Sequence, residues 1–331
     1  MGQNIHPGAL QKPINSGFNA TSTTNDVIKG IDLTRKIAIV TGGNTGIGLE
    51  TTLTLSRAGA TVIVPARDVE KAKKNLAGIP RVEIEEMDLM DSTSIDVFAE
   101  KFLASGRALH LLVNNAGIMW VPLRRDIRGI ESQLATNYLA QFQLTARLWP
   151  ALKQADGARV INVSSQGHHF APFDFDDPNF EHRPYETLQG YGQSKTAVNL
   201  FSYELHNRTK AFGVRAYSVH PGSIGGTELA REASMDLFRQ MGFCDADGNI
   251  FPKIQASLKT IPQGAATTVW CATSPLLDHV GGVYCEDGNI AAWAGSPTTH
   301  SGVMPYSLDE ANAKRLWDLS EKMTGIKFRV D

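Results

Sequence analysis

The chain has 331 residues, of which 42% are hydrophobic and 20% charged, with a formal net charge of -2. That composition supports a core of ordinary size, enough for one large α/β domain or two modest ones. The near-balanced charge argues against nucleic acid as a partner, because that needs a clustered basic surface. The three cysteines, Cys244, Cys271 and Cys285, lack C-x-x-C spacing, which argues against a zinc or redox site and fits a reducing compartment.

Residues 1–30 are polar and rich in Asn, Gly, Ser and Thr. They read as an N-terminal extension without the apolar core of a secretion signal, so a cytoplasmic location is expected. No apolar run anywhere reaches the roughly 18 residues of a membrane span. From Ile31 onward, short β-branched runs alternate with helical patterns. Strands are predicted at 36–41, 60–65, 82–87, 109–114, 159–163 and 214–220, with a seventh at 282–284. Helices are predicted at 47–58, 68–77, 92–103, 130–153 and 191–209.

Strict alternation predicts an α/β fold: a doubly wound parallel sheet, Rossmann-like, in a single domain over residues 31–290. Residues of about 225–260, with Met235, Phe238 and Met241, read as a lid over the substrate. Residues 291–331 read as a C-terminal extension packed on the same domain. Its helix is expected to start at the capping-box pattern Ser307-Leu308-Asp309-Glu310 and to bury a stripe of Leu316, Leu319 and Met323. In such sheets ligands bind beyond the carboxyl ends of the strands, so residues just after each strand are the candidates for chemistry.

After the first strand comes Thr41-Gly42-Gly43-Asn44-Thr45-Gly46-Ile47-Gly48. Its glycines permit a tight turn and a close approach of backbone N–H groups to a pyrophosphate at a helix N-terminus. Tyr191 and Lys195 are four apart, on one face of a helix. A nearby ammonium is expected to lower the phenol pKa, so that the phenol can exchange a proton with a carbonyl or alcohol oxygen. Ser165 ends the fifth strand, where its hydroxyl can hold that oxygen.

These segments, together with Asn114-Asn115-Ala116-Gly117, Ser164-Ser165 and Pro221-Gly222, resemble in order the short-chain dehydrogenase/reductase family over residues 36–290. Leu316-Trp317-Asp318-Leu319-Ser320 and His168-His169 resemble its retinol dehydrogenase-like and WW-domain oxidoreductase-like branch. The resemblance implies a catalytic set of Asn137, Ser165, Tyr191 and Lys195, with Asn137 ordering a water near the lysine. It implies a nicotinamide cofactor held by Gly42, Asn44, Thr45, Gly46, Ile47, Gly48, Asp88, Leu89, Asn115, Ala116, Gly117, Tyr191, Lys195, Pro221, Gly222, Ile224 and Thr227. Two features depart from the family pattern. Ser165 and Tyr191 stand 26 positions apart around an aromatic insertion, and Thr227 comes one residue late.

An acid usually ends the second strand of NAD-binding sheets; here Ala66 stands there, followed by Arg67, so NADP(H) is expected over NAD(H). Asp68, two positions late, reads as a helix cap. Trp120, Gln166, His168, Phe173 and Tyr185 are expected to line an apolar pocket for a carbonyl or alcohol, with no metal. A homo-oligomer is compatible with the sequence. The rival reading is an NADP-binding sensor or scaffold without turnover.

Overall fold

A computed structural model describes residues 10–225 and 227–331. Residues 1–9 of the N-terminal extension and Gly226 of the lid lie outside the described residues. The strands are β1 (Ile37–Val40), β2 (Thr61–Ala66), β3 (Val82–Glu86), β4 (Leu111–Asn114), β5 (Arg159–Val163), β6 (Arg215–His220), β7 (Val283–Glu286) and β8 (Asn289–Ile290). They form one sheet in the order β3-β2-β1-β4-β5-β6-β7-β8, parallel except for the β7–β8 pair. The short antiparallel β8 has no counterpart in the sequence reading, because two residues carry no periodicity.

The helices are α1 (Thr24–Ile28), α2 (Gly46–Arg57), α3 (Val69–Leu76), α4 (Ser92–Ala104), α5 (Ser132–Leu134), α6 (Ala140–Gln154), α7 (Thr187–Thr209), α8 (Met235–Gln240), α9 (Pro252–Ser257), α10 (Ile261–Thr273) and α11 (Glu310–Thr324). The side-chain alternation of a strand sends neighbours to opposite faces, and β1 does this cleanly. Ile39 joins the core beneath α4, α6, α7 and α11, whereas Ala38 and Val40 join the core beneath α2 and α10. Burial on both faces is why central strands such as β1 and β4 read as apolar runs, whereas the edge strand β3 is only partly covered and carries three glutamates.

The chain winds outward through β1, β2 and β3, then crosses back to place β4 on the other side of β1. At that reversal the connections after β1 and β4 diverge and leave a crevice, the place where doubly wound sheets bind ligands. The segment expected as one helix over 130–153 is broken by a π-helical turn at Ala135–Leu139, between α5 and α6. Asn137 sits within it, and π-turns inside helices often mark functional positions.

Helix α11 packs on α7 and closes an aromatic cluster, with Trp317 at 5.4 Å from Phe142, 6.0 Å from Phe201 and 4.8 Å from Phe328. The expected capping box is corrected: Asp309, not Ser307, caps α11, accepting from the Asn312 amide, and Ser307 lies in a preceding 3-10 turn. Asp309 immediately precedes the first helical residue, Glu310, whereas Ser307 is held back in the 3-10 turn Pro305–Leu308. The buried stripe is Leu316, Trp317 and Ser320, with Leu319 and Met323 only partly covered.

The N-terminal arm is docked, not loose, from Leu10 on. Gln11 is buried, and its side-chain amide donates to the carbonyls of Tyr284 (2.9 Å) and Ala291 (2.7 Å) and accepts from the Tyr284 amide (2.9 Å). One side chain thus serves β7 as a neighbouring strand would. Gln11→Ala should leave these backbone groups without partners and cost about 2–4 kcal/mol of stability. Denaturant midpoints for the two proteins measure this; an unchanged midpoint contradicts the role given to Gln11.

Candidate active site

The turn after β1 is built for an anion. Gly42 has φ of +64°, and a Cβ added at Gly48 would fall 2.2 Å from the Gly42 carbonyl oxygen, so both positions require glycine. Thr45 is the N-cap of α2, yet its hydroxyl makes no capping bond. The first-turn N–H groups of this twelve-residue helix therefore remain available to a phosphate. Thr41 Oγ1 accepts from the amides of Asn115 (2.9 Å) and Ala116 (3.0 Å), and Asn115 Nδ2 donates to the Thr41 carbonyl (2.9 Å). These bonds tie the glycine turn to the Asn115–Gly117 turn across the crevice. Thr227, one place late in sequence, still reaches this turn: a Cβ on Gly46 would lie 3.7 Å from its methyl.

Arg67 is exposed just past β2. Asp68 caps α3 by accepting from the Lys71 amide (2.9 Å), as expected of a cap. Lys71 Nζ pairs with both carboxylate oxygens of Glu228 at 3.0 Å, joining α3 to the segment expected as a lid. Asp88 accepts from the Met90 amide (2.9 Å) and shapes the turn carrying Leu89.

The four residues of the implied catalytic set converge around this crevice. Tyr191 and Lys195 lie on α7, which starts at Thr187, four residues before the expected start. Both are buried. Lys195 Nζ donates to the Val163 carbonyl at the end of β5 (2.8 Å) and lies 5.7 Å from the Tyr191 ring centre. The Tyr191 ring packs against Gly167, where a Cβ would come within 2.5 Å of the ring. Ser165 caps the 3-10 turn Gln166–Phe170, its hydroxyl accepting from the Gly167 amide (2.9 Å).

Asn137 Oδ1 accepts from the Ile118 amide (2.8 Å), and its Nδ2 donates to the Ile118 carbonyl (3.0 Å) and Ser194 Oγ (3.0 Å). Its side chain thereby fixes the turn after β4 against α7. Gly117 lies between, a Cβ there falling 3.0 Å from Asn137 Oδ1 and 3.7 Å from Lys195 Nζ.

The electrostatics differ from the expectation that the lysine lowers the tyrosine pKa. Burial pushes the Tyr191 phenol up to about 12, with a smaller opposing hydrogen bond from Ser165. Burial pushes Lys195 down from 10.5 to about 7. Desolvation disfavours the charged form of each and is the leading cause of both shifts. The folded chain releases the Lys195 proton near pH 7, and the unfolded chain holds it up to about 10.5. Native stability from this group therefore rises with pH across that window, and the full penalty of a buried ammonium is present below it. Lys195→Met should gain most in stability over the native chain at about pH 6 and less at about pH 9. Denaturation at the two values measures the difference; an advantage that grows with pH contradicts this account.

The expected pocket residues divide. The Trp120 ring is buried and stacks 6.1 Å from Phe243 at 15°, with Phe238 edge-on at 5.4 Å, so the segment expected as a lid packs on it. Gln166 stands beside Ser165, with its amide nitrogen donating to His220 Nδ1 (3.1 Å) and its side chain to the Thr299 carbonyl (3.3 Å). His168 is corrected: it is fully buried, with both ring nitrogens bonded to backbone, and lies beneath the Ser165 turn. The Phe173 ring joins the core shared with Trp317 and meets Phe175 at 4.9 Å. The Tyr185 hydroxyl is engaged with Glu131 Oε1 (3.1 Å) and Gln133 Nε2 (2.8 Å), and Gln133 Oε1 in turn holds the Trp120 amide.

The sequence reading missed His220, whose Nδ1 joins the Ser165 turn to the Pro221-Gly222 turn by accepting from Gln166 and Gly222 amides. Its place as the last residue of β6 was the available signal. It also missed Lys259, which packs against Gly222 and pairs with Asp287 at 2.5 Å. Among the described residues, no group of three or more His, Cys, Asp or Glu is arranged to hold a metal. Among them, no helix is long and apolar enough to cross a membrane.

Comparison with known proteins agrees with this construction. Residues 36–237 match the short chain dehydrogenase family. A probable oxidoreductase of Streptomyces lividans is 42% identical over 87% of this chain and 97% of its own length. Retinol dehydrogenase 11 of Mus musculus is 37% identical, covering 89% of this chain and 88% of its own. An uncharacterised protein from Mycobacterium paratuberculosis superimposes with a TM-score of 0.70 at 30% identity, over 92% of this chain and 98% of that one. The RhlG/NADP complex of Pseudomonas aeruginosa shares the fold, with a TM-score of 0.60 at 23% identity over 78% of this chain and 97% of that one. The chain is an oxidoreductase of the short-chain dehydrogenase/reductase family, in its retinol dehydrogenase-like branch.

Proposed function

We propose that this protein is an NADP(H)-dependent oxidoreductase that interconverts a carbonyl and an alcohol on a hydrophobic substrate, with Tyr191 as the acid/base. The observation that carries the reading is the buried, neutral Tyr191 phenol beside Ser165, at the end of a crevice whose other end is an uncapped helix N-terminus behind a glycine turn. The bound dinucleotide would supply or accept a hydride. Gly42 to Gly48 and Thr227 would hold its phosphates, Asn115 to Gly117 and Pro221 to Ile224 its middle, and Lys195 its nicotinamide-side ribose.

A neutral phenol is the form that can donate a proton. Tyr191 would give it to the carbonyl oxygen in reduction and take it back in oxidation. Ser165 would steady that oxygen as negative charge develops on it. Lys195, poised near neutrality, would exchange its charge readily once a substrate and cofactor changed its surroundings. Arg67, exposed one residue past Ala66, which stands where an acid would end the second strand of an NAD-binding sheet, supports NADP(H), and the NADP complex of the Pseudomonas protein is in line with that. Trp120, Phe238 and Phe243 favour a bulky apolar substrate under the lid. Residues 31–290 would form the catalytic unit of a cytoplasmic enzyme.

A panel of aldehydes and ketones of graded bulk, each with NADPH and NADH, tests this. Turnover is expected with NADPH and with the bulkier apolar carbonyls. NADPH binding with no turnover across the panel would leave a cofactor-binding protein without catalysis.

A further inference from the structure

His168 is fully buried three residues past Ser165, and no step above uses it. Its Nδ1 lies 2.7 Å from the Ser165 carbonyl oxygen, and its Nε2 lies 3.1 Å from the Met304 amide nitrogen. A carbonyl oxygen can only accept and an amide N–H can only donate, so the two partners select one tautomer. Nδ1 carries the proton and donates to Ser165; Nε2 is bare and accepts from Met304. The ring is neutral, and burial holds its pKa down at about 3.

The rest of the residue is equally committed. The His168 carbonyl accepts from the Tyr306 hydroxyl (2.7 Å), and lies 3.3 Å from Oγ1 of Thr196, the neighbour of Lys195 on α7, which has its shorter bond to the Ala171 carbonyl (2.7 Å). Nearby, His169 Nε2 lies 3.0 Å from the Gly302 carbonyl, and the Gly302 amide donates to Glu286 Oε1 (2.9 Å). The segment from Met304 to Tyr306 lies outside the part of the chain that matches the family, residues 36–237.

We propose that His168 is a positioning residue for Ser165, a two-ended link that makes the placement of the serine depend on the C-terminal segment at Met304. This rests on the proposed carbonyl–alcohol chemistry, in which the Ser165 hydroxyl must meet the reacting oxygen. Ser165 is extended, with φ of -164° and ψ of 155°, and its hydroxyl is aimed by the turn that its own carbonyl closes. Moving that carbonyl moves the hydroxyl, and a displacement of roughly 1 Å at such a group can cost about a hundredfold in rate.

Asn and Gln separate the two ends, because the Asn amide nitrogen takes the place of Nδ1 and the Gln amide oxygen can take that of Nε2. His168→Asn keeps the donor to Ser165, His168→Gln keeps only the acceptor for Met304, and His168→Ala keeps neither. With an active carbonyl, kcat is expected to fall about 10- to 100-fold in the Gln and Ala variants and much less in Asn. NADPH dissociation constants should stay within about threefold, since none of these atoms faces the phosphate turn. Equal losses in Asn and Gln, or losses of kcat that only track lost NADPH binding, overturn the proposal. Nitrogen-15 NMR of the His168 ring in the native protein at neutral pH needs no substrate: a proton on Nδ1 is expected, and a proton on Nε2 or on both nitrogens overturns the proposal. A native enzyme inactive on every carbonyl, with the Nδ1 proton present, would count against the chemistry and leave the link standing.

Discussion

Tyr191→Phe is expected to lower turnover by about 10²–10⁴-fold, the range for losing a positioned general acid. The binding of NADPH should stay within about twofold of the native value. The substitution removes one oxygen and leaves the ring packed on Gly167. It also removes a phenol that burial already keeps neutral, so no buried charge is stranded. Lys195→Met should behave differently, losing both turnover and cofactor affinity, because the ammonium reaches between the end of β5 and the turn at Gly117. Parallel measurement of kcat and the NADPH dissociation constant separates the two. A Tyr191→Phe enzyme retaining more than a few per cent of the native rate is incompatible with the role given to the phenol.

Arg67→Ala is expected to weaken NADPH binding by about ten- to a hundredfold and NADH binding far less. Among the described residues beside the end of β2, Arg67 is a cation with no ion pair and is available to a 2′-phosphate. Lys71 is held by Glu228 at 3.0 Å, and Asp68 is occupied as the cap of α3. Ala66→Asp with Arg67→Ile should turn the preference toward NADH by adding repulsion and a ribose partner together. Dissociation constants for both cofactors in each variant measure it. Equal weakening of NADPH and NADH by Arg67→Ala would make the residue structural, and the preference would then have to come from Asn44 or Thr45.

The sheet was legible because short apolar, β-branched runs, buried on both faces in the central strands, alternate along the chain with longer helical patterns. The turns after β1, β4, β5 and β6 were legible for a related reason: glycine and asparagine stand where the backbone must approach itself closely, as at Gly42 and Gly48. The break at Asn137 was not, since a π-turn keeps the helical pattern of burial and differs only in its backbone bonds. Contacts between distant segments left no local trace either. Gln11 reaches β7 across more than 270 positions, and His168 reaches Met304 across 136. A lone polar residue in an arm or an insertion reads as exposed until its partner is known. The pKa direction expected at Tyr191 failed for the same reason, because spacing reveals a neighbour but not burial.

The most direct test of the central claim follows the hydride itself. The enzyme would be given NADPH deuterated at the transferable position of the nicotinamide ring and a carbonyl that it reduces. The product alcohol is expected to carry one deuterium on the former carbonyl carbon, formed at a rate that Tyr191→Phe lowers by about 10²–10⁴-fold. An alcohol without that deuterium, or one formed equally fast by Tyr191→Phe, would contradict the account.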